Sequence, residues 1–196
     1  GITKFSQLSI FSTLNNLKKI TMLPEYEAIC GITKEELQSE YLKPYVKRFA
    51  DENEWSLDEA YLKLKEHYDG YHFSENKVDI FNPYSLVNAL ADRKLDNYWF
   101  DSGTSSFLLK SLKQYKFDYT QMDNVSASRA SFDVPTGAIR TAIPLLFQSG
   151  YLTIKGYDRD RNMFSLGIPN KEVRVGFCDG ILPTITTFGT YENEGL

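Results

Sequence analysis

Cysteine, histidine and methionine are scarce in this sequence, with two, two and three copies among 196 residues. Cys30 and Cys178 lie far apart and belong to no CxxC or Cys/His cluster, so they read as two buried, reduced thiols rather than a disulfide framework. The only histidines, His67 and His72, leave a zinc site without a plausible ligand set, so no metal is expected. No apolar run approaches the roughly 18 residues of a membrane span, and no basic-then-apolar leader opens the chain. These absences predict a cytoplasmic protein with no membrane partner. There is also no G-x-x-x-x-G-K-[ST] loop to aim backbone N–H groups at phosphates, no apolar strand ending in paired acids for Mg²⁺, and no G-x-S-x-G nucleophile turn. The chain by itself is therefore not expected to hydrolyse a nucleotide or to catalyse a reaction alone.

Aromatic residues are what the sequence has in excess. Thirteen Tyr, thirteen Phe and two Trp make 14% of a chain that is otherwise ordinary, 42% hydrophobic and 24% charged. Rings of this kind supply rigid packing, and each Tyr hydroxyl or Trp N–H that is buried needs a partner. The formal net charge of −4 argues against a general nucleic-acid coat. Residues 139–182 run the other way: Arg140, Lys155, Arg159, Arg161, Lys171 and Arg174 exceed Asp158, Asp160, Glu172 and Asp179 by two.

Helix signals dominate the first two thirds. Thr33-Lys-Glu-Glu36 is a capping box, followed by Leu37, Tyr41, Leu42, Tyr45, Val46 and Phe49 near a helical period, with a break or kink expected at Pro44. Ser56-Leu-Asp-Glu59 repeats the capping chemistry for a second helix that carries Ala60, Tyr61, Leu64, His67 and Tyr68 and ends around Gly70. Asn82-Pro83 predicts an N-cap with Pro at the first helical position, and a fourth helix is expected from about Thr104 to Gln114. Residues 33–115 thus read as a small all-helical unit, and residues 116–135, with no period, as a connecting segment. Tyr98 to Thr104 reads as an aromatic anchor before the fourth helix. The last third changes grammar. Pro135 to Gly150 reads as one helix, or two broken at Pro144. Tyr151-Leu-Thr-Ile and Met163-Phe-Ser-Leu flank the charged turn Asp158–Asn162 as a hairpin, and Asn170 caps a final helix. Helix, hairpin wing and helix is the pattern of a winged helix. The expected fold class is therefore mainly α: a helical subdomain followed by a winged-helix subdomain with one small β-hairpin.

Tyr68-Asp-Gly-Tyr-His-Phe73 is the densest cluster of functional residue types, because Gly70 frees the backbone to turn between rings that either stack on a base or pack on the next helix. Read together and in order, GITKFSQLSIFS, YDGYHF, FNPYSL, YWFDSGT and IPLLFQSGYLTI resemble the predicted AAA-ATPase family found largely in Bacteroidetes and other anaerobic bacteria. The resemblance covers about 180 residues. It implies that residues 1–32 are the end of an ATPase core and a linker, 33–115 a helical lid, 116–135 a connecting segment and 136–196 a winged helix. The phosphate-binding and Mg²⁺-binding segments would lie outside this sequence.

By that resemblance Thr3 and Lys4 follow a strand that places a polar sensor near the γ-phosphate. Asp69, Gly70 and Tyr71 resemble the lid turn that borders the adenine. ATP and Mg²⁺ are then cofactors of the full-length protein, with none bound by this part alone. Its partners would be the ATPase core in cis and a C-terminal nuclease-like domain, and self-association is expected where an apolar face is left uncovered. The implied role is a regulatory lid that senses nucleotide. The alternative is a DNA- or protein-binding winged helix in which Lys155, Arg159 and Arg161 of the wing and Lys171 and Arg174 of the last helix make the contacts.

Overall fold

The computed structural model describes residues 20–101, 110, 112–115, 117–134 and 139–183. In chain order its named elements are β1 (Ile32–Thr33), α1 (Lys34–Leu37), α2 (Lys43–Glu52), α3 (Leu57–Tyr68), β2 (Ile80–Phe81), α4 (Pro83–Asp92), α5 (Tyr98–Asp101), β3 (Val125–Ala127), α6 (Arg129–Phe132), α7 (Ala142–Gln148), β4 (Thr153–Asp158), β5 (Met163–Gly167) and α8 (Lys171–Gly176). Short 3₁₀ turns occur at Pro24–Tyr26 and Tyr119–Gln121, and α8 runs on into a π-helical turn at Phe177–Ile181. The chain divides into two compact units. One gathers the described parts of Gly1–Cys30, His72–Val78 and Tyr115–Ile168, and the other those of Gly31–Tyr71, Asp79–Gln114 and Pro169–Leu196.

The helical unit grows from local signals. Thr33 Oγ1 accepts the Glu36 N–H at 3.2 Å while Glu36 Oε2 accepts the Thr33 N–H at 2.8 Å, which closes the capping box of α1. Ser56 Oγ caps α3 through the Glu59 N–H, and Asn82 Oδ1 caps α4 through Tyr84 and Ser85. Pro44 does not kink a helix. It sits in the first turn of α2, where its missing N–H costs nothing, so the expected long helix is two separate pieces, α1 and α2. Val46, Phe49, Ala60, Leu64, Tyr68, Leu86 and Ala89 pack into one buried cluster, with Phe49 edge-on to Trp55 at 5.6 Å. A two-stranded antiparallel ladder, β1 with β2, closes one side, and Gly31 approaches it so closely that a Cβ would lie 1.9 Å from Ile80 Cγ2.

The sheet unit is built from pairing distant in sequence. Its antiparallel sheet has the order β3-β5-β4, with Val125 opposite Leu166 and Asp158 opposite Met163. A register shift lies between Ile154 and Gly156, where Lys155 occupies the extra position. Phe132 of α6 is buried edge-on against Phe147 at 4.7 Å and Phe164 at 5.4 Å, joining α6, α7 and β5 in one core. Pro144 lies buried in the first turn of α7 and does not break it.

Several expectations are corrected here. The chain is mixed α/β, not mainly α, and a helical lid followed by a winged helix is not the architecture observed. Five strands form two antiparallel sheets among the described residues. The stretch read as a connector supplies β3, a three-residue strand too short to show a period. The helix after the hairpin does not belong with it: α8 packs on α3 and α5 in the helical unit, whereas the hairpin belongs to the sheet unit. Cys30 and Cys178 are both free, as expected, but exposed rather than buried. Most of the fourth predicted helix, and Ser102 to Thr104, fall outside the described residues. No described helix is long and apolar enough to cross a membrane.

Candidate functional site at the end of α3

Ser56 starts α3 in a register that brings Tyr68 inward at its last turn. Tyr68 is fully buried; its hydroxyl donates to the Asp96 carbonyl and accepts the Asp96 N–H, both at 2.9 Å. Burial pushes this phenol far above its ordinary value of 10.0, so it stays protonated throughout the physiological range. Asp69 then leaves the helix in an extended conformation, and Gly70 turns the chain at φ 90, where a side chain would be strained. Tyr71 bridges Ile80 with hydrogen bonds in both directions, at 3.2 and 3.1 Å, and the Asn82 N–H returns to the Tyr68 carbonyl at 2.8 Å.

Charged and polar groups converge on this turn. Asp69 is 2% exposed, and Lys65 reaches toward its Oδ2 at 4.0 Å while holding Asp79 at 3.0 Å. The hydrogen bond and charge of Asp79 raise the Lys65 ammonium above its ordinary range. From the other end of the sequence Asn170 donates to the Asp69 carbonyl at 3.0 Å, and its Oδ1 caps α8 through the Val173 N–H. The buried Glu172 carboxylate accepts the Trp99 N–H at 2.8 Å. Lys171 pairs with Glu66 at 3.3 Å and holds that carboxyl below its usual value. This is a polar clasp that joins α3, α5 and α8. The link from Asn170 to Asp69 spans 101 residues and left no signal in the sequence.

Within the turn the Asp69 N–H is given to the Lys65 carbonyl and the Tyr71 N–H to the Ile80 carbonyl. Tyr71 is 9% exposed. Thr3 and Lys4 lie outside the described residues. The five cations predicted to meet nucleic acid divide between the units: Lys155, Arg159 and Arg161 in the sheet unit, Lys171 and Arg174 in the helical one. Arg159 faces Glu75 at 3.7 Å and Arg161 faces Asp158 at 3.9 Å, so the hairpin turn is partly neutralised by its own neighbours. Among the described residues no group of three or more His, Cys, Asp or Glu side chains is arranged to hold a metal ion.

No family model matches this chain, and no solved structure matches it. It is similar to a protein of Azotobacter chroococcum mcd 1 described as an uncharacterized protein in the vnfD 5′ region, with 31% identity over 187 residues. Those residues are 93% of this chain and 33% of that protein, so the chain spans about a third of the length of the relative it matches.

Proposed function

We propose that this chain works as a regulatory segment of a larger AAA-type ATPase whose nucleotide chemistry resides elsewhere in the longer protein. The observation that carries the reading is the match of nearly the whole chain to one third of a much longer protein. The ordered motifs from GITKFSQLSIFS to IPLLFQSGYLTI favour the ATPase family, and the missing phosphate loop agrees with a segment that does not hydrolyse nucleotide itself. In this role Asp69, Gly70 and Tyr71 form the turn at the end of α3. Their value to a regulator is that Asn170 and Lys65 fasten α8 and the β2 approach to the same point, so displacement of one element is transmitted to the others.

Calorimetry with ATP and ADP on this chain, and on the longer protein that contains a phosphate loop, tests the proposal. Binding by the longer protein alone is expected. Binding by this chain in isolation, or by neither, rejects it.

A further inference from the structure

Helix α2 carries Lys43, Lys47 and Arg48 in its first six residues and its two acids, Asp51 and Glu52, at its C-terminal end, in a protein whose net charge is −4. Val46, Phe49 and Ala50 of α2 face the core, so the remaining arc of the helix is turned to solvent. There Tyr41 is 77% exposed and Tyr45 50% exposed. The Lys43 N–H bonds the Ser39 carbonyl at 3.0 Å and the Val46 N–H bonds Leu42 at 3.2 Å, so helical turns extend back through Tyr41. Tyr41, Tyr45 and Arg48 therefore form one stripe at i, i+4 and i+7, with the Arg48 guanidinium 6.0 Å from the Tyr45 ring centre. Among the described residues no carboxylate pairs with Lys43, Lys47 or Arg48. Arg159, Arg161 and Lys171, by contrast, each have one.

We propose that α2 is a binding surface for single-stranded nucleic acid, with Lys43, Lys47 and Arg48 meeting phosphates and Tyr41 and Tyr45 offering their faces to bases. Charge complementarity selects an anionic partner, since three exposed cations lie together ahead of the acidic end of α2, where Asp51 and Glu52 share a pocket with Arg48 and Arg93 and Glu52 pairs with Arg93 at 3.5 Å. The rings decide its class. An acidic peptide would satisfy the cations and leave both phenols idle, whereas unstacked bases use cations and aromatic faces at once. Two rings one helical turn apart are roughly 6 Å apart along the axis, which suits successive bases of a strand drawn out of its own stack. The inference does not depend on the ATPase reading.

Fluorescence anisotropy of the full chain with a labelled oligothymidylate of about 15 nucleotides tests it. Changing Lys43, Lys47 and Arg48 together to Gln is expected to weaken binding at least about tenfold and to flatten the log–log salt dependence by about 2. The double change Tyr41→Ala and Tyr45→Ala is expected to weaken binding by about tenfold or more at an unchanged salt slope. Lys155→Gln with Arg159→Gln and Arg161→Gln is expected to leave affinity within about twofold. Because Tyr41, Lys43, Tyr45, Lys47 and Arg48 are all exposed, circular dichroism should show each variant folded. No binding by the wild type at low salt overturns the proposal, as does wild-type affinity in the tyrosine variant or equal competition by polyglutamate of matched charge. The last result would assign the face to an acidic protein.

Discussion

Within each unit a different kind of interaction dominates. The helical unit rests on side-chain burial around Phe49, Leu64 and Tyr68, with caps at Thr33, Ser56 and Asn82 that each act within a few residues. The sheet unit buries Phe132 along with Leu146, Ile154 and Leu166 and is tied across long sequence distances by hydrogen bonds. The His72 N–H donates to Thr153 Oγ1 at 2.7 Å, that hydroxyl donates back to the His72 carbonyl at 3.0 Å, and His72 Nδ1 lies 2.6 Å from the Ile154 carbonyl oxygen. Ser74 bonds the buried Glu27 carboxylate, and the Asn76 N–H bonds Ser74 at 3.0 Å. Distant ties occur in both units, since Asn170 and Glu172 reach Asp69 and Trp99 in the helical one, but there they are added to elements already started by local caps.

The sharpest way to break this comparison is to empty one core at a time. Phe49→Ala in the helical unit and Phe132→Ala in the sheet unit are each expected to cost about 3–5 kcal/mol. Hydrogen exchange read by mass spectrometry should show Phe49→Ala loosening α2 to α4 while β3, β4 and β5 keep their protection, with the reverse for Phe132→Ala. Equal loss of protection in both units for either variant would mean that the chain unfolds as one body.

Removing a long-range tie comes next in size. Ser74→Ala leaves the Glu27 carboxylate buried with one partner fewer and is expected to cost about 1–3 kcal/mol, read from the urea midpoint. Ser56→Ala, which removes a local cap, should cost about 1 kcal/mol. If the cap proves the more costly of the two, the sheet unit does not depend on its distant hydrogen bonds.

The same division explains what could be read in the sequence. Caps are spelled by a residue and its neighbour three positions on, so the starts of α1, α3, α4 and α8 were all visible at Thr33, Ser56, Asn82 and Asn170. The hairpin was visible too, because Asp158–Asn162 gathers turn residues between β-rich runs. Strands of two or three residues are shorter than any period they could show, which hid β1, β2 and β3 and with them the mixed α/β character. The placement of α8 depends on Asn170 meeting Asp69, a contact that only the folded chain creates. Helical spacing alone also counted Tyr41 and Tyr45 with Val46 and Phe49; the stripe is offset enough from the core face to put the two tyrosines in solvent. At the candidate site the glycine turn was legible and its clasp was not.

The smallest expected effect concerns pH and sits in the helical unit. His67 is half-buried on α3, with Nδ1 3.0 Å from the Lys63 carbonyl oxygen. Burial lowers its pKa below the ordinary 6.5. The Lys63 carbonyl and Glu66 oppose that shift, while Lys171 and Lys63 reinforce it through their charge. A depressed folded-state value means that the native protein prefers the neutral ring, so the contribution is present above pH 6.5 and is lost as pH falls through the lower folded value. Solvent screening at this partly exposed site keeps the effect below about 1 kcal/mol. Urea midpoints at pH 7.5 and 5.5 should fall more for the wild type than for His67→Gln, the remaining pH dependence being common to both. An equal fall in the two proteins would show that His67 titrates alike in the folded and unfolded chain, and that the end of α3 is more open to water than its packing implies.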